Sequence, residues 1–173
     1  LSVDPNLASY LDAKFSGSSL IGRRIEFAEL EDSHEAMFDR GWTDGLPVIA
    51  PTEQRVLSML AGTSRLPSEI IASVPPDLTP CTVEKIAINA VMAGCKPEYL
   101  PIVLAAVEAV CNETFNMHGL LATTMPHAPV LVVNGPIAEQ IGMNSSGNAF
   151  GQGNRANSTI GRAVQLVVRN VGG

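Results

Sequence analysis

The sequence predicts a single helix-rich α/β domain with a small sheet of about three or four strands. Three observations support this prediction. Apolar residues recur at helical spacing in several segments, the run Val130-Leu131-Val132-Val133 is apolar on both faces like a strand covered by helices, and 46% of the 173 residues are hydrophobic. That fraction suits one soluble domain with a sizeable core. We assign residues 21–173 to the domain and residues 1–20 to an N-terminal arm that contacts a neighbour.

Caps and helix breakers delimit the elements of the first half. Ser33 is placed to cap one helix and Thr52 another, and glycines at positions 41 and 62 end them. Four prolines in residues 63–80 predict an irregular connection. The predicted order is a strand at 21–30, a helix at 33–40, a short strand at 48–49, a helix at 52–61 and a connection at 63–80 with a helical turn near Ile70 and Ile71.

The second half is more regular. Thr79 is placed to cap a helix that has Pro80 at its first position and ends before Gly94. A second helix starts at Pro101 and is apolar nearly all round, which predicts a central position. The remaining predicted elements are the strand at 130–133, a short helix at 136–141 and a last helix at about 155–170.

Charge is distributed unevenly along the chain. The net charge is −6, yet the last 60 residues contain a single acid, Glu139, and three arginines. The acidic total makes a nucleic-acid backbone a poor partner.

Because no apolar run reaches about 18 residues, no membrane span is predicted. Three cysteines without a CxxC pair favour a reducing, cytoplasmic location. Since the chain starts without Met and stops just after a helix, we expect a fragment or subunit of a larger assembly, with a partner chain or further copies.

The densest polar signal is the Gly- and Asn-rich stretch of residues 142–159, which leads into the last helix. Backbone amides, side-chain amides and a guanidinium at a helix N-terminus bind anions well. The alternative is a long loop that uses Gly and Asn for its turns, with Asn154 or Asn157 as a cap. No nucleotide motif is present. The candidate substrate-binding residues for a small anionic molecule are Asn134, Asn144, Ser145, Ser146, Asn148, Asn154, Arg155 and Asn157.

Four residues are candidates for catalysis. Cys95, beside Lys96 and before a helical turn, is a candidate thiolate, although free cysteines are more often buried apolar residues. His118 and His127 bracket the loop before the strand at 130–133 and are candidate acid/base groups, or hydrogen-bonded structural residues. Asp44 lies in an Asp-Gly turn and ranks below His118 as a base. Because the two histidines have no recognised ligand spacing, no metal site is predicted.

Four segments of the chain resemble the UGSC family of (seleno)proteins, which is bacterial. The likeness covers roughly residues 40–173 and is carried by Gly41 to Pro47, Thr82 to Tyr99, Asn134 to Pro136 and Gly153 to Arg162. The resemblance implies thiol or selenol redox chemistry, because the family is named for a selenocysteine or cysteine followed by Gly-Ser-Cys. No Cys-Gly-Ser-Cys occurs here, which places the redox element on another chain or missing part, or gives this domain a different task. Cys95 does not inherit the role.

The sequence therefore predicts an enzyme subunit or domain that binds a small carboxylate-like substrate through the Gly/Asn-rich loop and Arg155. Either thiol-linked oxidoreductase chemistry or a thiol-independent lyase or hydratase reaction is compatible with these residues. The alternative is a non-catalytic assembly module of a heteromeric complex. No cofactor is indicated.

Overall fold

A computed structural model describes residues 20–27 and 32–173. The chain is helix-rich with a small two-stranded sheet, so the coarse fold prediction is confirmed, whereas only two of the expected three or four strands occur in these residues. The elements are α1 (Ser33–Asp39), α2 (Glu53–Leu60), β1 (Ile70–Val74), β2 (Thr79–Thr82), α3 (Val83–Ala93), α4 (Leu100–Val110), α5 (Met117–Ala122), α6 (Pro136–Gln140) and α7 (Arg155–Val167). Short 3-10 turns lie at Pro97–Tyr99 and Glu113–Phe115, and a π-helix at Val168–Gly172 continues α7.

The core lies where α3 packs against α7, the most extensive helix pair in the described fold, with α4 beside them. Both helices present small and branched apolar side chains at helical spacing, which lets the two backbones approach closely. The fully buried members include Ile86, Ala90, Ile160 and Ala163. Gly94 ends α3 with a φ of 91°, a left-handed conformation that favours glycine. The predicted helices in these three segments are confirmed.

Two predictions in this region are wrong. Strand β1 lies where a helical turn was predicted near Ile70 and Ile71, and strand β2 lies where a helix was predicted to start at Thr79. β1 pairs antiparallel with β2, and Ala72 lies opposite Cys81. β-branched residues in β1 favour a strand, while Pro80 is tolerated in a ladder that has only one neighbour. The helix starts at Val83 instead, because the Thr82 side chain accepts a hydrogen bond from the Lys85 amide.

The predicted strand at 130–133 forms no strand in the structure. Val130 and Val132 are 64% and 78% exposed, and no described residue is hydrogen-bonded to the backbone of this run. The predicted strand at 48–49 is reduced to one hydrogen bond, from the Ile49 amide to the Met92 carbonyl at 3.1 Å. An apolar run becomes a strand only when a neighbouring strand accepts its backbone, and the described fold supplies none here.

Predictions near the N-terminus have mixed outcomes. Residues 20–27 contain no strand, and the rest of the strand predicted at 21–30 lies outside the described residues, as does the arm except for Leu20. The helix predicted at 33–40 is α1, but its cap is Asp32, whose carboxylate accepts from the His34 amide at 2.8 Å. Across residues 20–27 and 32–173, none of the helices has the length and apolar character that crossing a bilayer requires.

Candidate functional site

Three arginines form a row along one face of the last helix. Arg155, Arg162 and Arg169 are spaced by seven residues, close to two helical turns, so their side chains project in the same direction. Each donates a hydrogen bond from Nε: Arg155 to the Gly94 carbonyl, Arg162 to the Asp44 carboxylate and Arg169 to the Gly41 carbonyl. We call these three residues the arginine row. It ties α7 and the π-helix to the turn at residues 41–47 and to the end of α3.

The central member of the row forms a bidentate ion pair. Arg162 Nε and Nη2 each lie 2.8 Å from an Asp44 carboxylate oxygen, and Nη2 also donates to the Pro47 carbonyl at 2.8 Å. The Asp44 side chain is only 9% exposed. Hydrogen bonding to Arg162 lowers the pKa of Asp44, and the nearby positive charge acts in the same direction against burial. A carboxylate held in this way is a poor general base, so the geometry disfavours the catalytic role predicted for Asp44.

Arg155 differs from Arg162 because no carboxylate holds it. Its Nε donates to the Gly94 carbonyl at 2.9 Å, and no described residue accepts from its two terminal nitrogens. The residue is exposed and begins α7. The backbone N–H groups of Arg155 and Ala156 are also without an acceptor in the described fold. Two guanidinium donors and the Arg155 amide therefore stand at the positive end of a 13-residue helix, whereas Ala156 is 1% exposed and its amide is closed to a ligand.

The asparagines of the loop hold the loop itself. Asn157 accepts from the Asn144 amide at 3.0 Å and donates to the carbonyls of Asn144 and Ala149 at 2.8 and 2.9 Å. Asn154 caps α7 by accepting from the Asn157 amide and donates to the Gly142 carbonyl at 2.7 Å. Asn144 donates from Nδ2 to the Gly147 carbonyl at 3.0 Å. The cap that the sequence left open between Asn154 and Asn157 is Asn154, and the side-chain amides of all three asparagines make hydrogen bonds within the loop.

The other four predicted substrate-binding residues form no hydrogen bond with Arg155. Asn148 donates to the Gln152 carbonyl at 3.0 Å within the same loop. Ser145 and Ser146 are exposed, and their hydroxyls have no partner among residues the structure describes. Asn134 is exposed just before α6 and makes no hydrogen bond there. No hydrogen bond joins these four residues to Arg155.

Cys95 follows Gly94, whose carbonyl anchors Arg155, yet its environment disfavours the thiolate. The side chain is 6% exposed, and its Sγ donates to the Thr159 carbonyl at 3.3 Å. Burial raises the pKa of the Cys95 thiol to about 11, although the charge of Arg155 acts in the opposite direction. Lys96 and the turn amides favoured a thiolate in the sequence, where this burial is not visible. Burial likewise raises the pKa of Cys81 to about 12 and that of Cys111 above its usual range.

We expect Cys95 to react slowly with iodoacetamide in the native protein. A pKa near 11 instead of 9.0 lowers the thiolate fraction at pH 8, by about a hundredfold, and the thiolate is the reactive form. Peptide-resolved mass spectrometry of samples alkylated in buffer and in urea measures the ratio of the native to the unfolded alkylation rate of Cys95. A native rate profile with an inflection near neutral pH would contradict this expectation and return Cys95 to the candidate nucleophiles.

The fold does not bond the two candidate histidines to the other candidate site residues. His118 is exposed in α5, and His127 is exposed in the following loop, where its Nδ1 lies 3.2 Å from the Met125 carbonyl oxygen. No hydrogen bond or ion pair joins either of them to Cys95, Arg155 or Asp44. In the part of the chain with described coordinates, no group of three or more His, Cys, Asp or Glu side chains is arranged to hold a metal ion.

Sequence reasoning missed the part that Arg162 plays. Asp44 and Arg162 are 118 positions apart, so no motif spacing connects them. The sequence did contain a usable signal: the only three Lys or Arg residues of positions 114–173 are arginines that repeat every seven residues. Of the predicted binding residues, Arg155 is the charged one in the described fold, and its two terminal guanidinium nitrogens are free. No protein-family model, curated protein or solved structure matches the chain, so its function is argued from this geometry.

Proposed function

We propose that this domain binds a small carboxylate at the N-terminal end of α7. Arg155 offers its two terminal nitrogens, and its own backbone N–H group completes the set of donors. The observation that carries the proposal is that the Gly94 carbonyl, 2.9 Å from Nε of Arg155, occupies only that nitrogen and leaves the outer edge of the guanidinium free. A fork held at one edge is preorganised for a bidentate carboxylate.

The electrostatic setting supports an anion at this place. Glu139 is the single acid among residues 114–173, and Asp44 is neutralised by Arg162. The positive end of the α7 dipole faces the same donors. Arg169 provides a comparison, since its Nε also donates to a carbonyl, that of Gly41, but it lies beyond the C-terminal end of α7. Arg169 lies in the π-helix that continues α7, near the negative end of the helix dipole, which disfavours an anion.

The proposal is confined to binding. No hydrogen bond joins either histidine to Arg155, and the buried Cys95 thiol gives no support to a thiol step. In an enzyme, the acid, base or redox group would come from elsewhere. A subunit of a cytoplasmic enzyme that holds the substrate carboxylate is the form of the proposal that agrees best with the resemblance to the UGSC family.

Arg155→Ala is expected to weaken carboxylate binding by about tenfold to a hundredfold, because a hydrogen bond to a charged group contributes roughly 1.5–3 kcal/mol. Isothermal titration calorimetry with acetate, succinate and citrate measures this change. Arg169→Ala is the matched control, since it removes the same side chain from the same kind of anchor. Unchanged affinity in Arg155→Ala, or an equal loss in Arg169→Ala, would refute the proposal.

A second candidate function, assembly with further chains, is favoured by an uncharged surface. Residues 114–138 contain no Asp, Glu, Lys or Arg. Several of their apolar side chains are exposed, and the most exposed are Val132 at 78%, Met125 at 65% and Val130 at 64%. Contiguous exposed apolar residues are typical of protein interfaces.

Assembly through this uncharged surface predicts a concentration-dependent sedimentation coefficient that Val132→Lys abolishes. The lysine would place a charge where the interface excludes water. Phe150→Lys is the control, because Phe150 is 93% exposed but lies outside residues 114–138. A chain that sediments as a monomer at all concentrations would argue against self-association.

A further inference from the structure

A cavity lies at the other end of α7 from Arg155. Its volume is about 630 Å³, within the range of small-molecule sites. Asn170 lines it and is 15 residues from Arg155, a separation of roughly 20 Å along a helix. The apolar part of its lining includes Ile25, Met37, Trp42, Val56, Ile88 and Met92. The cavity is therefore separate from the carboxylate site proposed above.

Residues 20–27 form one wall of this cavity and are fastened to the body of the domain. Glu84, which is 2% exposed, accepts from the backbone amides of Ile21 and Gly22 at 3.0 and 2.8 Å. Farther along, Arg24 pairs with Glu53 at 2.9 Å. Of the three carboxylates that line the cavity, Glu53 and Glu84 thus have partners on the wall itself, while the exposed Glu26 makes no hydrogen bond or ion pair with a described residue.

The opposite wall carries Trp42 in a defined position. Asn170 donates to the Trp42 carbonyl at 3.1 Å and to Asn89 at 2.8 Å, and Asn89 is 3% exposed. The Arg23 guanidinium lies 5.8 Å from the centre of the Trp42 ring. The Arg40 guanidinium lies at the same distance from this ring, so Trp42 joins the apolar interior to two cations.

Arg23 is the cation that the rim leaves available. No carboxylate of a described residue pairs with it, whereas Arg24 is paired with Glu53 and Lys85 donates to the Pro80 carbonyl at 2.8 Å. An apolar interior with one open guanidinium at its edge is complementary to a molecule with an apolar body and one negative end.

We propose that this cavity binds an amphipathic monocarboxylate, with its hydrocarbon body against the partly exposed Trp42, Ile25 and Ile88 and its carboxylate on Arg23. Burial of hydrocarbon contributes about 0.8 kcal/mol for each CH₂ group, so the body supplies most of the affinity. The Arg23 guanidinium distinguishes an acid from an alcohol of the same length. Acetate, which lacks the body, does not occupy the cavity.

Trp42 is the sole tryptophan of the chain and reports directly on this cavity. We expect decanoate below its micellar concentration to change Trp42 emission saturably, and decanol to bind about tenfold more weakly, the factor that corresponds to about 1.4 kcal/mol. Arg23→Gln should bring decanoate to the affinity of decanol without changing that of decanol. Ile88→Phe, which narrows the cavity, should weaken both ligands.

Two control variants isolate the cavity from other cations. Lys85→Gln removes a rim charge that is already bonded, and Arg155→Ala removes the carboxylate site at the other end of α7; neither should alter the ratio of decanoate to decanol affinity. Equal binding of acid and alcohol in the native chain, a ratio that Arg23→Gln leaves unchanged, or an equal loss in Lys85→Gln would overturn the proposal. Its failure would leave the Arg155 proposal standing, since that site is tested with acetate, succinate and citrate.

Discussion

Arg162→Met is expected to lower the free energy of unfolding by about 2–3 kcal/mol. The substitution keeps most of the apolar stem but leaves the Asp44 carboxylate, 9% exposed, without its two 2.8 Å donors. Breaking a buried pair from one side costs roughly 3–5 kcal/mol. The expected loss is somewhat smaller because the Arg162 side chain is 20% exposed, so water solvates part of the pair. Urea denaturation at pH 7 measures the change.

Arg24→Met is the matched control for this ion pair. It breaks the Arg24–Glu53 pair, which has a similar contact at 2.9 Å but side chains that are 69% and 55% exposed. Exposed pairs contribute about 0–1 kcal/mol. If both variants lost the same stability, burial would not be the cause, and the claim that Arg162 fastens α7 to residues 41–47 would fail.

The same ion pair predicts a pH dependence with a definite sign. Arg162 holds the pKa of Asp44 below its ordinary value of 3.8. A group whose pKa is lowered in the native state contributes stability that is complete above its unfolded pKa and disappears as the pH falls through its native pKa. The native chain should therefore lose this contribution below pH 3.8, and Arg162→Met should show a shallower acid limb. Urea unfolding curves at pH 7, 4 and 3 measure the free energy of unfolding of the native chain and of Arg162→Met.

The helices were predictable from sequence because their information is local. α3 and α7 each carry an apolar stripe at helical spacing, α4 is apolar nearly all round, and caps or breakers such as Gly94 mark their ends. The strands were not predictable in this way. β1 lies in a proline-rich connection, and what makes it a strand is its antiparallel partner β2 across a short turn. The run at 130–133 has stronger strand composition and forms none, because no described strand pairs with it.

The site was predictable in its location but not in the roles of its residues. The acid-poor last third and its Gly/Asn loop led to Arg155, which stands among free donors. The bonds between Asn144 and Asn157 could not be anticipated, since an amide serves a loop and a ligand equally well. The burial of Cys95 could not be anticipated either, because it depends on how α7 packs over the end of α3.

Gly62→Ala is expected to destabilise the fold by about 3 kcal/mol, at the upper end of the usual cost of overpacking. A Cβ at this position would overlap the Pro97 carbonyl oxygen and lie 2.7 Å from its carbon. Both are backbone atoms, so no side-chain rotation relieves the contact. The end of α2 and the turn Pro97–Tyr99 would have to separate, and Leu60 beside this contact is fully buried. Separation would therefore expose core as well as strain the backbone.

Gly161→Ala makes the same chemical change with the opposite expected sign. Gly161 lies inside α7 with open space around the position of a Cβ, so alanine should add about 1 kcal/mol through its higher helix propensity. Urea denaturation of both variants measures the pair, and a Gly62→Ala protein as stable as wild type would mean that α2 and the turn are not in contact. Because Pro97 is three residues from Gly94, whose carbonyl holds Arg155, moving this turn should also displace that anchor. Gly62→Ala is thus expected to weaken carboxylate binding although residue 62 is no part of the site, whereas Gly161→Ala should leave it unchanged.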